Sequence, residues 1–465
     1  MGCRSIRREE EVVEGAEETT NSSTEVTREE VNDRIHNRVE IHKRRAYPVI
    51  NPLPIKNGLN PTRVQVPMDE GAPVKAIDFL SRVIQNQRHR HPDDDEAAVY
   101  QRFLDKEVVL DSGEPVAPDY EVPPGRFLNF YRRPAPEREV PGTLGLLYED
   151  NDLLVVDKPS FLATLPRGQH IAQTALTKAR IQFGIPELSP CHRLDRLTRG
   201  VLMFTKRPEI RGAYQTLFDR REPQKTYEAI TDVPNDPPLW LVDLLHAFSA
   251  PALRGIPWQQ EFQLVNHPDF QPGCQQHAQQ QWQQHARQEQ QHAQQGWQYN
   301  LHQEDAQLPE EISEVEDSQP WREREQPSRK RPWVLRHHMV KVRGRLATYL
   351  TGDEPNAETA ITGVRAFLDT SSSPVPATRL AWRLEPHSGR THQLRVVMRS
   401  LGMPIVNDSL YGFISNDALQ RPDGDLPSPA FVEDEDFTRP MGLTAKELSF
   451  RDPLTGKLRQ FNSRF

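Results

Sequence analysis

The stretch "CHRLDRLTRGVLMFTK", Cys191 to Lys206, sets one carboxylate, Asp195, between Arg193 and Arg196. Arginine keeps its charge at any usable pH, so two of them favour the ionised form of the aspartate. An ionised carboxylate at the mouth of a short apolar run ("GVLMF") has the chemistry of a nucleophile or a base. The plainer alternative is a surface ion pair, because charge clusters are mostly solvated faces. Cys191 beside His192 raises the further question of a thiol enzyme. Adjacent residues on an extended chain point to opposite sides, which argues against it.

Two more segments carry residues able to work with that carboxylate. "WRLEPHSGRTHQLRVVMRSLGMPIVNDSLYG", Trp382 to Gly412, contains Arg395 and Arg399 one helical turn apart. Within it, Ser388-Gly389-Arg390-Thr391 reads as a turn with exposed amides and a cation at a helix start, suited to an anion. "KTYEAIT", Lys225 to Thr231, places Tyr227 in a strand-like alternation.

The elements that must position these residues follow from periodicity and turn signals. "GVLMF" reads as a buried strand and "ATRLAWRLEP" as an alternating one, while "SGRTHQLRVVMRSLG" reads as a helix closed by Gly402 and "MPIVND" as a short strand. "TLGLLYEDNDLLVVDKPS" reads as two strands joined at Asn151-Asp152, a hairpin. Upstream, "APVKAIDFLSRVIQN" is helical, and in "YQRFLDKEVVLDSGEPV" a helix gives way to a strand and a Gly-containing turn.

The chain has 465 residues, room for two or three domains. Residues 1 to about 60 are charged and lack apolar periodicity, the composition of a disordered arm. Between about 262 and 330 runs "QQHAQQQWQQHARQEQQHAQQ" and then an acidic, proline-punctuated stretch, a low-complexity composition that does not bury a core. The net charge of −8 belongs to the flanks: 1–40 and 301–330 each carry −5, the remainder +2, and 192–230 holds nine basic against five acidic residues. The overall sign therefore excludes little. Three cysteines with no CxxC pair exclude a disulfide framework and a thiolate zinc site, and suit the cytoplasm. No apolar run is long enough for a bilayer.

Taken in order, "HRLDR.T.G", "KTYEAI" and "GRTHQLRV..RSLG.PIVND.LYG" resemble the RluA-type RNA pseudouridine synthases, over roughly 141–261 and 332–465. "LLVVDKPSFLATLPRG" and "LTAKELSFRDPLTGKLRQF" resemble the family's first and last core segments. The resemblance implies an α+β fold: a catalytic domain over 141–465 with a curved mixed, largely antiparallel sheet flanked by helices. It implies isomerisation of uridine to pseudouridine in ribosomal or transfer RNA, by a monomer that acts on a flipped-out nucleotide. No redox change or phosphoryl transfer occurs in that reaction, so no cofactor or metal is expected.

By the same resemblance Asp195 is the catalytic aspartate, acting as nucleophile or base; the sequence leaves both routes open. Arg395 is the arginine paired with it, Tyr227 stacks on the uracil and helps move the C5 proton, and Leu394 walls the ring. Arg193, Arg196 and Arg390 hold phosphates or the local fold, and His192 and His392 are structural. Residues 61–140 resemble an S4-type RNA-binding module, split by "RHRHPDDDE". The chain departs from the family at Arg199, where a small residue is usual, and in the 262–330 insertion. A non-catalytic RNA-binding protein of the same fold would have lost the aspartate or the tyrosine, and a glycoside hydrolase needs two carboxylates across the bond.

Overall fold

The computed structural model describes residues 52–249, 322–343, 345–370, 376–412, 419 and 435–465. Most of the N-terminal arm and of the Gln/His-rich insertion lies outside the described residues. Residues 52–60, read from composition as part of the arm, form a defined turn. Lys56 and Leu59 exchange backbone hydrogen bonds, Leu53 is buried, and the Arg180 guanidinium donates to the Gly58 carbonyl.

The N-terminal unit runs β1 (Thr62–Gln65), β2 (Val74–Lys75), α1 (Ala76–Gln85), α2 (Glu96–Leu104), β3 (Val108–Leu110), β4 (Glu121–Val122) and β5 (Phe127–Phe130). Strands β1, β5 and β3 form one small antiparallel sheet, and β2 pairs with β4. The apolar face expected of "AIDFLSRVIQ" buries Ala76, Phe79, Leu80 and Ile84 against Val108, Leu128 and Phe130, a core separate from the rest. The charged insert contributes order: Asp95 caps α2 by accepting from the Ala98 amide, and Asp94 pairs with buried Arg102 at 2.7 Å.

The remainder is one sheet with helices against it. Its elements are β6 (Gly145–Glu149), β7 (Leu153–Lys158), α3 (Ala175–Phe183), β8 (Ser189–Pro190), β9 (Arg199–Thr205), α4 (Arg211–Asp219), β10 (Gln224–Asp232) and α5 (Leu239–Ser249). Then follow β11 (Trp333–Val340), β12 (Tyr349–Thr351), β13 (Ala357–Asp369), β14 (Ala377–Pro386), α6 (Gln393–Ser400), β15 (Leu443–Arg451) and β16 (Leu458–Asn462). The strand order is β12-β11-β13-β14-β10-β15-β9-β7-β6, with β16 beside β15 and β8 beside β9. Every described pairing is antiparallel except β9 with β15, so the sheet is mixed and largely antiparallel as expected. The β6–β7 hairpin turns at Asn151-Asp152. Register shifts at Thr226/Tyr227 and Ile361/Gly363 add local twist.

Two expectations fail. "MPIVND" is not a strand: Ile405 makes one bridge to Thr231, and Asn407, at φ 57°, turns the chain away. The helix of "SGRTHQLRVVMRSLG" begins at Gln393, because His392 adopts φ 56° and breaks the helical run that the apolar spacing suggested. Its end is as read, with Gly402 at φ 72°.

The parallel junction of β9 with β15 brings the Asp195 loop to the middle of the sheet, and Gly200 makes it possible. Gly200 has φ +113°, and a Cβ there would lie 2.2 Å from the Ala445 carbonyl oxygen. Gly200→Ala is expected to destabilise the chain by about 2–4 kcal/mol, combining backbone strain with a clash against backbone. Thermal or urea unfolding checks it; an unchanged midpoint contradicts the close approach.

Candidate active site

Asp195 sits on the loop between β8 and β9, and that loop is fastened at three points. The Thr164 hydroxyl bonds both the amide and the carbonyl of Leu194, at 3.1 and 2.7 Å. Lys158, fully buried at the end of β7, donates to the carbonyls of Leu162 (2.8 Å), Pro159 (2.9 Å) and Arg196 (3.3 Å). The Thr198 amide donates to the Asp195 carbonyl at 3.1 Å. Leu194 and Leu197 are buried on either side, so the Asp195 carboxylate is presented at the surface with 33% exposure. Burial pulls the Lys158 ammonium down to about 7, and the Asp195 carboxylate opposes that fall. Lys158, within "DKPS", has no role in the sequence reading.

Arg395 approaches Asp195 from α6. Its Nη1 lies 3.9 Å from Asp195 Oδ2, beyond hydrogen-bond reach. Its main partner is a residue without a role in the sequence reading: Asp408, fully buried, accepts from Nε and Nη2 at 2.7 Å each. Asp408 Oδ1 also accepts from the amides of Leu410 and Tyr411, both at 3.0 Å. Burial alone would lower Arg395, but Asp408 more than offsets it and Asp195 adds to the rise. Burial would likewise raise Asp408, and the Arg395 guanidinium holds it below the usual carboxylate range instead. The Tyr411 ring covers the guanidinium, 5.0 Å from centroid to Cζ. The pairing of Arg395 with Asp195 is thus a second, longer contact on a cation already fixed by Asp408.

Tyr227 lies on β10 opposite Leu384 and Ala445, immediately after the register shift at Thr226. The bulge tilts it relative to its neighbours, and it is half-buried against the main core. Burial, and then the Asp195 carboxylate, push its hydroxyl upward, so the two side chains share one electrostatic environment. Leu394 is buried in the same core at the start of α6. His392 stands beside Asp195, with Nε2 4.0 Å from Oδ2.

The other sequence candidates separate. Arg193 is exposed. Arg196 is held by Glu435 through two bonds of 2.6 and 2.7 Å, which fixes the 435–440 segment over the loop and occupies both prongs of the guanidinium. Arg390 is exposed and donates from Nε to the Asn356 carbonyl at 3.2 Å. The expected anion turn is partly occupied: the Arg390 amide donates to Gln393 Oε1 at 3.0 Å, and the Ser388 hydroxyl to the same oxygen at 2.8 Å. Arg199 donates to Thr444 at 2.9 Å and lies over the Phe465 ring, on the sheet rather than in the loop. His192 is structural in its contacts: Nε2 accepts from the Met203 amide at 3.2 Å, the ring stacks on Phe218, and burial lowers it to about 3. Cys191 is buried, which pushes its thiol up and away from thiolate chemistry.

A carboxylate flanked by a pinned guanidinium, an imidazole and a half-buried tyrosine is therefore what the fold assembles. The description "RNA pseudouridylate synthase" belongs to the family model that matches residues 152–400, a span enclosing Asp195, Tyr227 and Arg395. An uncharacterized RNA pseudouridine synthase of Synechocystis sp. is 32% identical over 154 residues, 33% of this chain and 50% of that one. The dual-specificity RNA pseudouridine synthase RluA of Haemophilus influenzae is 38% identical over 88 residues, 19% of this chain and 39% of that one. The chain thus spans half or less of the length of these curated relatives. A solved structure of human RNA pseudouridylate synthase domain containing 1 aligns with a TM-score of 0.38 and 16% identity, covering 70% of this chain and 86% of that one. With more than half of its length matched by the family model, the chain belongs to the RNA pseudouridylate synthase family, and its motifs are of the RluA type.

Proposed function

We propose that this chain isomerises specific uridines to pseudouridine in structured RNA, ribosomal or transfer RNA, with Asp195 as the catalytic carboxylate. The observation that carries the reading is the convergence of Arg395 and Tyr227 on Asp195 from separate elements, inside the span matched by the family. The reaction breaks the N1–C1′ bond, turns the uracil and joins C5 to C1′. The C5 proton leaves and N1 gains one, so the step balances without oxidant, reductant or group donor.

Asp195 acts as nucleophile or base toward the sugar or the ring, and its partial exposure gives an incoming nucleotide access. A uridine within a duplex does not bring C1′ to a carboxylate seated in a sheet-borne loop, so the nucleotide is taken flipped out of the stack. Tyr227 stacks on the uracil and assists transfer of the C5 proton; Leu394 walls the ring. Arg395 orients Asp195 and counters its charge. Arg193 and Arg390, both exposed, hold phosphates, while Arg196, bound to Glu435, acts through the fold of the loop.

The N-terminal unit is read as an S4-like RNA-binding module in the same proposal. A cleft of about 1170 Å³ separates it from α3, lined by Lys56, Arg132, Arg133 and Lys178, with Asp105 and Glu107 also in its wall. Asp195 does not line it, and its basic side suits the backbone of a bound RNA rather than the reacting base. No helix among the described residues is long and apolar enough to cross a membrane. Cysteine usage supports a cytoplasmic location.

Two outcomes are expected. Asp195→Asn abolishes pseudouridine formation while RNA binding and melting temperature stay near wild type, because an amide serves as neither nucleophile nor base. Turnover by that variant, with deamidation excluded by mass spectrometry, contradicts the assignment. Tyr227→Phe keeps RNA affinity but slows turnover, whereas Tyr227→Ala weakens both, since base–aromatic stacking is worth about 1–3 kcal/mol. Single-turnover rates and RNA affinities separate the two; a Phe variant as fast as wild type confines the tyrosine to stacking.

A further inference from the structure

His392 carries a backbone conformation and a hydrogen-bond chain that filling space does not require. Its φ of 56° lies in the left-handed region, which costs a residue with a Cβ about 1 kcal/mol or more. The strain holds the ring between two groups. Nδ1 lies 2.9 Å from the Tyr411 hydroxyl, and Nε2 lies 4.0 Å from Asp195 Oδ2.

The far end of the chain bears on the tautomer. The Thr348 amide donates to the Tyr411 oxygen at 2.8 Å, which makes that oxygen an acceptor and leaves its own hydrogen to donate. His392 Nδ1 can take that hydrogen, and a neutral ring that accepts at Nδ1 carries its proton on Nε2. Thr348 is itself anchored, its hydroxyl donating to the Thr391 carbonyl at 3.0 Å. Burial lowers the imidazole to about 4, opposed by Asp195 and reinforced by Arg395, with Asp408 and Lys341 also facing it. The ring is therefore neutral at pH 7, and in the tautomer that accepts from Tyr411 its Nε2–H faces the Asp195 carboxylate.

We propose that His392 is a positioning residue that, together with Arg395, holds Oδ2 of Asp195 and leaves Oδ1 as the reacting oxygen. Arg395 Nη1 and His392 Nε2 stand 3.9 and 4.0 Å from the same Oδ2. A closure of about 1 Å on substrate binding turns both approaches into hydrogen bonds, as apo-site contacts commonly tighten in the reactive complex. This inference rests on the reading of Asp195 as the catalytic carboxylate.

The test uses the full-length chain and RNA labelled with tritium at uridine C5, under single-turnover conditions with RNA affinity and melting temperature measured alongside. In His392→Gln the amide nitrogen reaches the place of Nε2; in His392→Asn the residue tolerates the left-handed backbone better but is too short to reach Asp195. The expected order is Gln within about threefold of wild type and Asn slower by about 10- to 100-fold, with affinity unchanged, the worth of a hydrogen bond to a charged group. A purely structural histidine gives the reverse order, with Asn the better substitute, and that result overturns the proposal. Nitrogen-15 NMR supplies a readout independent of activity: His392 is expected as the neutral Nε2–H tautomer at pH 7 and as a tautomer mixture in Tyr411→Phe. A charged ring or an Nδ1–H tautomer in the wild type overturns the proposal. Tritium release by Asp195→Asn instead refutes the reading of the site, whatever the order of the His392 variants.

Discussion

The buried pair of Arg395 and Asp408 is the interaction on which the rest of the site depends. A guanidinium withdrawn from water on α6 is costly, and a lone one there would recruit water or distort the helix. Asp408 meets it with two parallel bonds of 2.7 Å and is itself satisfied by two backbone amides. Removing one partner of such a pair typically costs about 3–5 kcal/mol, because the other is left buried and uncompensated. With its fork locked in this way, Arg395 has one further direction in which to present charge, toward Asp195. The long 3.9 Å contact is then the surplus of a cation whose position is fixed elsewhere.

The sheet supplies the complementary constraint from the other side. β9 meets β15 in parallel at Gly200, β10 lies on the opposite edge of β15, and β14 follows. Asp195 enters just before β9, Tyr227 stands on β10, and α6 follows directly from β14, so three distant stretches of chain arrive at one place. Lys158 and Thr164 then hold the Asp195 loop by its backbone and the Arg196–Glu435 pair by a side chain, leaving the carboxylate itself, among the described residues, without a close hydrogen-bond partner. A carboxylate held by its neighbours rather than by its own oxygens is open to an incoming group.

Much of this is legible in the sequence, for reasons that can be stated. "GVLMF", "KTYEAIT" and "ATRLAWRLEP" are strands because period-two patterning and β-branched or aromatic residues specify them locally. The ordered motifs bring Asp195, Tyr227 and Arg395 together. Asp408 is not legible in the same way, because its role depends on Asn407 at φ 57°, which ends the expected strand and turns the carboxylate inward. An Asn-Asp pair before a turn was the available signal, since both residues favour such conformations and accept from amides just ahead. The apolar spacing extends helix α6 past its true start because it carries no trace of the left-handed His392. The Arg196–Glu435 pair joins positions 239 residues apart, and no local pattern announces it.

If a guanidinium pinned by Asp408 orients Asp195 for isomerisation, replacing Arg395 must impair the reaction. The measurement is the single-turnover rate of tritium release from uridine-labelled RNA by folded Arg395→Lys and Arg395→Met proteins, with RNA affinity determined on the same samples. The lysine variant is expected to retain measurable activity through its charge, reduced by loss of the planar two-pronged contact, and the methionine variant to be nearly inactive while still binding RNA. An Arg395→Met protein that releases tritium at the wild-type rate would contradict it.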